Sequence, residues 1–142
     1  MFKKRIGITQ KVVKHNRNNE VMECLDINWI NFLTSLNILP IPLPLLQPDA
    51  ILEAWKMLNL DGLILSGGNT LAEYADETDA PESLSRDRDT FEQVLMKVAL
   101  STSTPIFGVC RGLQVINVHY NGRLSKVRGH AGTRHRLIKE SS

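Results

Sequence analysis

The sequence predicts an α/β domain built on a doubly wound, mostly parallel sheet with helices on both faces. Three observations carry this. Short apolar runs alternate with longer stretches of helical period, in the order β-α-β-α-β-α-β-α. Leu63-Ile64-Leu65 is apolar without alternation, as a strand buried on both faces must be. Two runs end abruptly in glycine-bearing turns, Ser66-Gly67-Gly68-Asn69 and Gly108-Val109-Cys110-Arg111-Gly112. The 142 residues fit a single domain at roughly 100–200 residues per domain.

The elements follow in order. Arg5 to Thr9 reads as a first strand, and Lys11 to Glu20 as a polar stretch. Met22, Leu25, Trp29, Phe32, Leu33 and Leu36 recur at three- and four-residue steps, which predicts one face of a helix that stops at Asn37. Ile38 to Leu45 is apolar but carries Pro40, Pro42 and Pro44. Proline has no N–H for the ladder, so this is at best a short edge strand. Pro48-Asp49 opens a second helix through Ile51, Leu52, Trp55 and Leu58. Asp61-Gly62 is a turn, Leu63 to Leu65 a buried strand, and Tyr74 to Ser83 an acidic surface loop.

Ser85 can cap a third helix with Asp87 and Asp89 in its first turn, where acids suit the dipole. Its apolar face is Phe91, Val94, Leu95 and Val98. Ile106 to Val109 is a strand, and Cys110-Arg111-Gly112 turns into a fourth helix packed through Leu113, Ile116 and Val118. A final short strand is expected at Leu124 to Val127, before a basic tail that contains histidine.

Composition excludes several classes. Seventeen Lys+Arg against fifteen Asp+Glu leave a net charge of +2, and aromatics are 6%, so no nucleic-acid partner is expected. With 42% hydrophobic and 23% charged residues, neither a disordered tail nor a collagen-like chain fits. No apolar run approaches the roughly 18 residues of a membrane span. The basic start is followed only by Ile6-Gly7-Ile8, too short for a signal-peptide core, so a cytoplasmic protein is expected. Cys24 and Cys110 form no disulfide framework, no ligand spacing predicts a metal, and no phosphate-binding loop predicts a cofactor.

Chemistry is expected outside the carboxyl ends of the strands. Gly108-Val109-Cys110-Arg111-Gly112 has the form of a nucleophile elbow with cysteine in the serine position. A cysteine at a helix N-terminus is held where the positive dipole end favours thiolate. An acyl-transfer cysteine needs donors for the oxyanion of its tetrahedral intermediate. The backbone N–H groups of Gly68 and Arg111 supply both if the two turns adjoin. Cys24 is read as a small packed helical residue, and His15 as a solvated loop residue. His119 falls near the end of the fourth helix. His130 and His135 lie in the tail with Arg128, Arg134 and Arg136, an anion-attracting segment.

Leu63-Ile64-Leu65-Ser66-Gly67-Gly68 and Pro105-Ile106-Phe107-Gly108-Val109-Cys110-Arg111-Gly112-Leu113-Gln114 resemble class I glutamine amidotransferases. Gly7-Ile8-Thr9-Gln10, Arg86-Asp87-Arg88-Asp89-Thr90-Phe91-Glu92 and His130-Ala131-Gly132-Thr133-Arg134-His135 resemble the γ-glutamyl-γ-aminobutyrate hydrolase-like branch. The opening segment through Trp29 and the His130–His135 segment look most like a group within it that acts on a γ-glutamyl nucleotide phosphoramidate. The resemblance implies a flavodoxin-like fold and a small γ-glutamyl substrate. It implies Cys110 as nucleophile, Gly68 and Arg111 as the oxyanion hole, and Gln114 as a substrate contact; Gly67, Asn69, His130 and His135 join Gln114 as candidate substrate-binding residues.

It also implies a His-Pro-Glu-like segment carrying the catalytic histidine and glutamate, which this sequence does not contain. The expectation is a domain short of the family's C-terminal strands by roughly 60–90 residues, from a usual size of about 200. Either of two partners is then expected, a second copy of the chain or a complementing C-terminal fragment. The alternatives to an active hydrolase are an inactive or split-gene fragment and, less favoured, a PfpI-type cysteine protein.

Overall fold

The computed structural model describes residues 1–15, 20–80 and 85–127. Six strands and four helices fall in the order β1 (Lys4–Thr9), β2 (Lys11–His15), β3 (Glu20–Cys24), α1 (Ile27–Ser35), β4 (Ile38–Leu43), α2 (Pro48–Leu58), β5 (Gly62–Leu65), α3 (Arg86–Ser101), β6 (Ile106–Gly108) and α4 (Arg111–His119). A single 3-10 turn, Ala72–Tyr74, follows β5.

The central sheet runs β4-β1-β5-β6, all parallel, and every crossover carries a helix. This is the doubly wound, flavodoxin-like α/β architecture that the alternation predicts. Side chains of β1 and β5 divide between two cores because successive residues of a strand face opposite ways. Ile8 and Ile64 meet Leu33 of α1, with Trp29 and Ile38 packed beside them. Leu63 and Leu65 face the other way, onto Ile51 and Trp55 of α2, Phe91, Leu95 and Met96 of α3, and Val115 of α4.

The chain therefore winds one way from β1 to β4 and back the other way through β5 to β6. Its reversal lies between β1 and β5, the place in such sheets where the carboxyl ends of the strands open a crevice. No helix among the described residues is long and apolar enough to cross a membrane.

Three expectations are corrected. Lys11 to Glu20 is not simply polar coil: β2 and β3 pair antiparallel from Lys11–Cys24 to His15–Glu20. That removes Met22 and Leu25 from the first helix, which starts after Asp26; the Asp26 carboxylate accepts the Asn28 N–H and caps it. Cys24 accordingly lies exposed at the end of a strand instead of packed in a helix. Leu124 to Val127 forms no strand; the chain there is irregular. The proline-bearing segment does form an edge strand, six residues long. Pro40 and Pro42 sit opposite Ile6 and Ile8 of β1, with only one neighbour to satisfy.

Candidate active site

The carboxyl ends of β5 and β6 hold the two glycine-bearing turns side by side. Cys110 caps α4 with φ 53° and ψ −111°, a conformation that side-chain-bearing residues rarely adopt. The turn can be this sharp because Gly112 passes against β5: a Cβ there would run into the Leu65 carbonyl. The Val109 N–H is donated to that same carbonyl, at 3.0 Å, which fixes the strand end from which the elbow departs. Cys110 is exposed and sits over Gly67, whose Cβ position lies 3.5 Å from the Cys110 Cβ and 4.0 Å from its Sγ. The two turns thus adjoin, as oxyanion stabilisation by Gly68 and Arg111 requires.

Gly68 has φ +89°, and its Cβ position is filled by the stem of Lys11. Arg111 is the first residue of α4, so its N–H has no intrahelical carbonyl to meet. Gly68, Asn69, Thr70, Cys110, Arg111 and Gln114 line one open cleft of about 340 Å³. A neighbouring cleft of about 590 Å³ continues past Gly68 and Gly67 to Lys11, Cys24, Asp26 and Trp29.

Behind these turns lies a buried ionic group. Arg88 of α3 is fully buried and uses its whole guanidinium. Nε donates to Glu92 Oε1 at 3.0 Å, Nη1 to the Gly67 carbonyl and Asn69 Oδ1 at 3.0 Å each, and Nη2 to the Ser66 carbonyl at 3.0 Å and Ser66 Oγ at 3.1 Å. The other oxygen of Glu92 accepts from Arg111, whose guanidinium also reaches Asp89. Burial pushes the Arg88 guanidinium below the ordinary arginine value. The Glu92 charge opposes this, the Arg111 charge adds to it, and Asp89 opposes it in turn. Two cations and two carboxylates leave the cluster neutral in sum.

Thr9, also fully buried, accepts the Ser66 N–H at 3.0 Å and holds the start of the β5 turn from the end of β1. The Asn69 carboxamide receives the Val12 N–H at 2.9 Å and donates to the Val12 carbonyl at 2.8 Å, which fastens β2 to the same turn.

The structure therefore brings together Cys110, Gly67, Gly68, Asn69, Arg111 and Gln114. Gln114 is exposed on the cleft wall one turn into α4, and Asn69 is engaged on its protein side. His130 and His135 lie outside the described residues. His119 is at the far end of α4 and lines a different cavity with Glu73, Asp89 and Lys97. Arg88 and Glu92 are the residues whose part the sequence reading missed. Their signal was available: both fall on the helical face of Phe91 and Leu95, so the apolar stripe of α3 carries two charges.

A doubly wound parallel sheet with a cysteine elbow closing on a Gly-Gly turn defines a glutamine-amidotransferase-like α/β domain. Residues 5–140 match the Peptidase C26 family, and the chain belongs to it. It is 32% identical over 130 residues to the γ-glutamyl-CDP-amidate hydrolase of Campylobacter jejuni, covering 89% of this chain and 60% of that protein. It is 30% identical over 124 residues to the γ-glutamyl-γ-aminobutyrate hydrolase of Escherichia coli O157:H7, covering 85% of this chain and 48% of that one. A glutamine amidotransferase-like protein of Rickettsia prowazekii is 30% identical over 129 residues, 85% of this chain and 45% of its own length. The chain thus spans about half to three fifths of these relatives.

Proposed function

We propose that the chain carries the nucleophile and oxyanion half of a site that cleaves γ-glutamyl amide bonds of small conjugates. The observation that supports this most is the strained, exposed Cys110 at the start of α4, set against Gly67. Two relatives are named for γ-glutamyl substrates with different leaving groups. What they share is the γ-glutamyl half, so that half is the one assigned here.

In this reading the Cys110 thiolate attacks the γ-carbonyl carbon. The Sγ–C bond forms as the carbonyl π pair moves onto oxygen, where the N–H groups of Gly68 and Arg111 receive it. Collapse expels the amine, which takes a proton as it leaves, and water then hydrolyses the thioester to glutamate. Among the described residues no histidine lines the Cys110 cleft. A second reading is a chain that holds the γ-glutamyl group but turns it over only when another chain supplies the base.

One mass-spectrometric experiment tests the first reading. The chain is incubated with 6-diazo-5-oxo-norleucine, with and without excess glutamine, beside Cys110→Ala. A single adduct that glutamine slows and Cys110→Ala abolishes is expected. No adduct, or equal modification of Cys24, would overturn it. Hydrolysis of γ-glutamyl anilide by wild type, His130→Ala and His135→Ala then separates the two readings: loss in one variant assigns the base to the tail, and no turnover in any supports the second.

A further inference from the structure

The buried ionic group has no place in the chemistry above, yet it touches both turns that perform it. Burying two guanidiniums is costly, and an apolar cluster of the same volume would stabilise the fold as well or better. What the charged cluster provides is direction. We propose that Arg88 is a positioning residue that aims the Gly68 N–H at the oxyanion; this rests on the assignment of Cys110 as nucleophile toward a γ-glutamyl carbonyl.

The argument runs through peptide geometry. The Gly67 carbonyl and the Gly68 N–H belong to one planar trans peptide, so they point in opposite directions. Arg88 Nη1 holds the Gly67 carbonyl at 3.0 Å on the buried side. The Gly68 N–H must then face away from α3, and Gly68 lines the Cys110 cleft. The Ser66 hydroxyl, itself held by Arg88 Nη2, is a longer second donor to the same carbonyl, at 3.4 Å; otherwise the plane lies between two glycines, and without Cβ atoms the peptide flips at little cost. The preceding peptide is pinned in the same way, by Nη2 on the Ser66 carbonyl at 3.0 Å.

The five N–H groups of Arg88 meet five acceptors, Glu92, Gly67, Asn69 and Ser66 twice. A lysine has three donors and no planar fork, so it can keep the charge but not this geometry. Glu92 extends the control to the second donor. One of its oxygens holds Arg88 and the other holds Arg111, whose own N–H opens α4. One carboxylate therefore sets the spacing between the two oxyanion donors.

The test separates aim from thiol reactivity. With 6-diazo-5-oxo-norleucine the diazo carbon takes up a proton, Sγ displaces dinitrogen from it, and the adjacent ketone lies where the γ-carbonyl would. Iodoacetamide needs only the thiolate. For Arg88→Lys, the rate of diazoketone labelling at Cys110 is expected to fall by about 100-fold, because a mis-aimed Gly68 N–H no longer seats the ketone and the reacting carbon shifts out of line with Sγ. Iodoacetamide labelling should stay within about threefold, with cooperative unfolding retained. Glu92→Gln, similar in shape, should show the same split to a smaller degree and decides the matter if Arg88→Lys does not fold.

Unchanged diazoketone labelling, or an equal fall with both reagents, would overturn the positioning role. Wild-type Cys110 that takes iodoacetamide but never the diazoketone would instead defeat the γ-glutamyl reading, and this inference with it.

Discussion

The turn that carries Cys110 was legible in the sequence because its local requirements are strict. Only glycine fits where Gly112 crosses the Leu65 carbonyl, and the strand-to-helix change around it is written in the apolar pattern. Gly67 gives a sharper test at the same scale. Its Cβ position meets only ordinary contacts, 3.5 Å from the Cys110 Cβ and 4.0 Å from Sγ, and its backbone is not in the left-handed region. Gly67→Ala should therefore fold with a wild-type melting temperature. The new methyl, however, occupies the approach to sulfur, and diazoketone labelling at Cys110 should slow by about tenfold or more, since small misplacements of reacting atoms cost that much. A variant that melts early would show that Gly67 serves packing instead. Arg88 was not legible in its role, because a charged residue in an apolar stripe states that it is buried without stating what it grips. The Ser66 and Gly67 carbonyls come from the turn after β5, more than twenty positions earlier.

Among the elements, the parallel strands and their helices were legible from periodicity, and the β2–β3 hairpin was not. Only half of its residues are apolar and they bury little: all five of β3 are exposed, and in β2 Val12 is buried. The hairpin is held by tertiary bonds that no local pattern announces, the Asn69 carboxamide on Val12 and the Glu23 carboxylate on the Leu45 N–H at 2.8 Å. Asn69→Ala should raise hydrogen exchange across β2 and β3 more than across β1 and β5. Uniform change across both sheets would refute that anchoring. The third helix carries the opposite kind of lesson. Ser85, Asp87 and Asp89 looked like ordinary caps and first-turn acids; the Ser85 side chain does accept the Arg88 N–H, but Asp89 also reaches across to Arg111. Removing the anion shared by two buried guanidiniums is the costly change here. Glu92→Ala should lower stability by about 3–5 kcal/mol, read as a shift in the urea midpoint. A shift under about 1 kcal/mol would mean that solvent or a side-chain rearrangement neutralises the arginines.

At the scale of the whole molecule, surface ion pairs add ties between segments far apart in sequence. Lys126, after α4, bridges Asp76 at 2.6 Å and Asp79 at 2.8 Å in the acidic loop, and Lys4 reaches Asp61 at 2.8 Å ahead of β5. Lys126 pushes Asp76 and Asp79 below the usual carboxylate value, and the two carboxylates raise Lys126 in return. The signs give a two-sided dependence on pH. A depressed carboxylate contributes stability that is present above its unfolded value of about 3.9 and lost as pH falls through the folded one. A raised lysine contributes stability that is present below about 10.4 and lost as pH rises through its folded value. The bridge should therefore act between about pH 5 and 10 and fade at both ends, since it exists only while both partners are charged. Lys126→Met isolates it, because subtracting the variant's urea midpoint from that of wild type at each pH cancels every other titration. The difference should be positive on the plateau and shrink below about pH 4 and above about pH 10.5. It should also shrink in 1 M salt, where the screening length is about 3 Å. A difference that stays constant across the whole range would show that Lys126 acts through its aliphatic stem and not its charge.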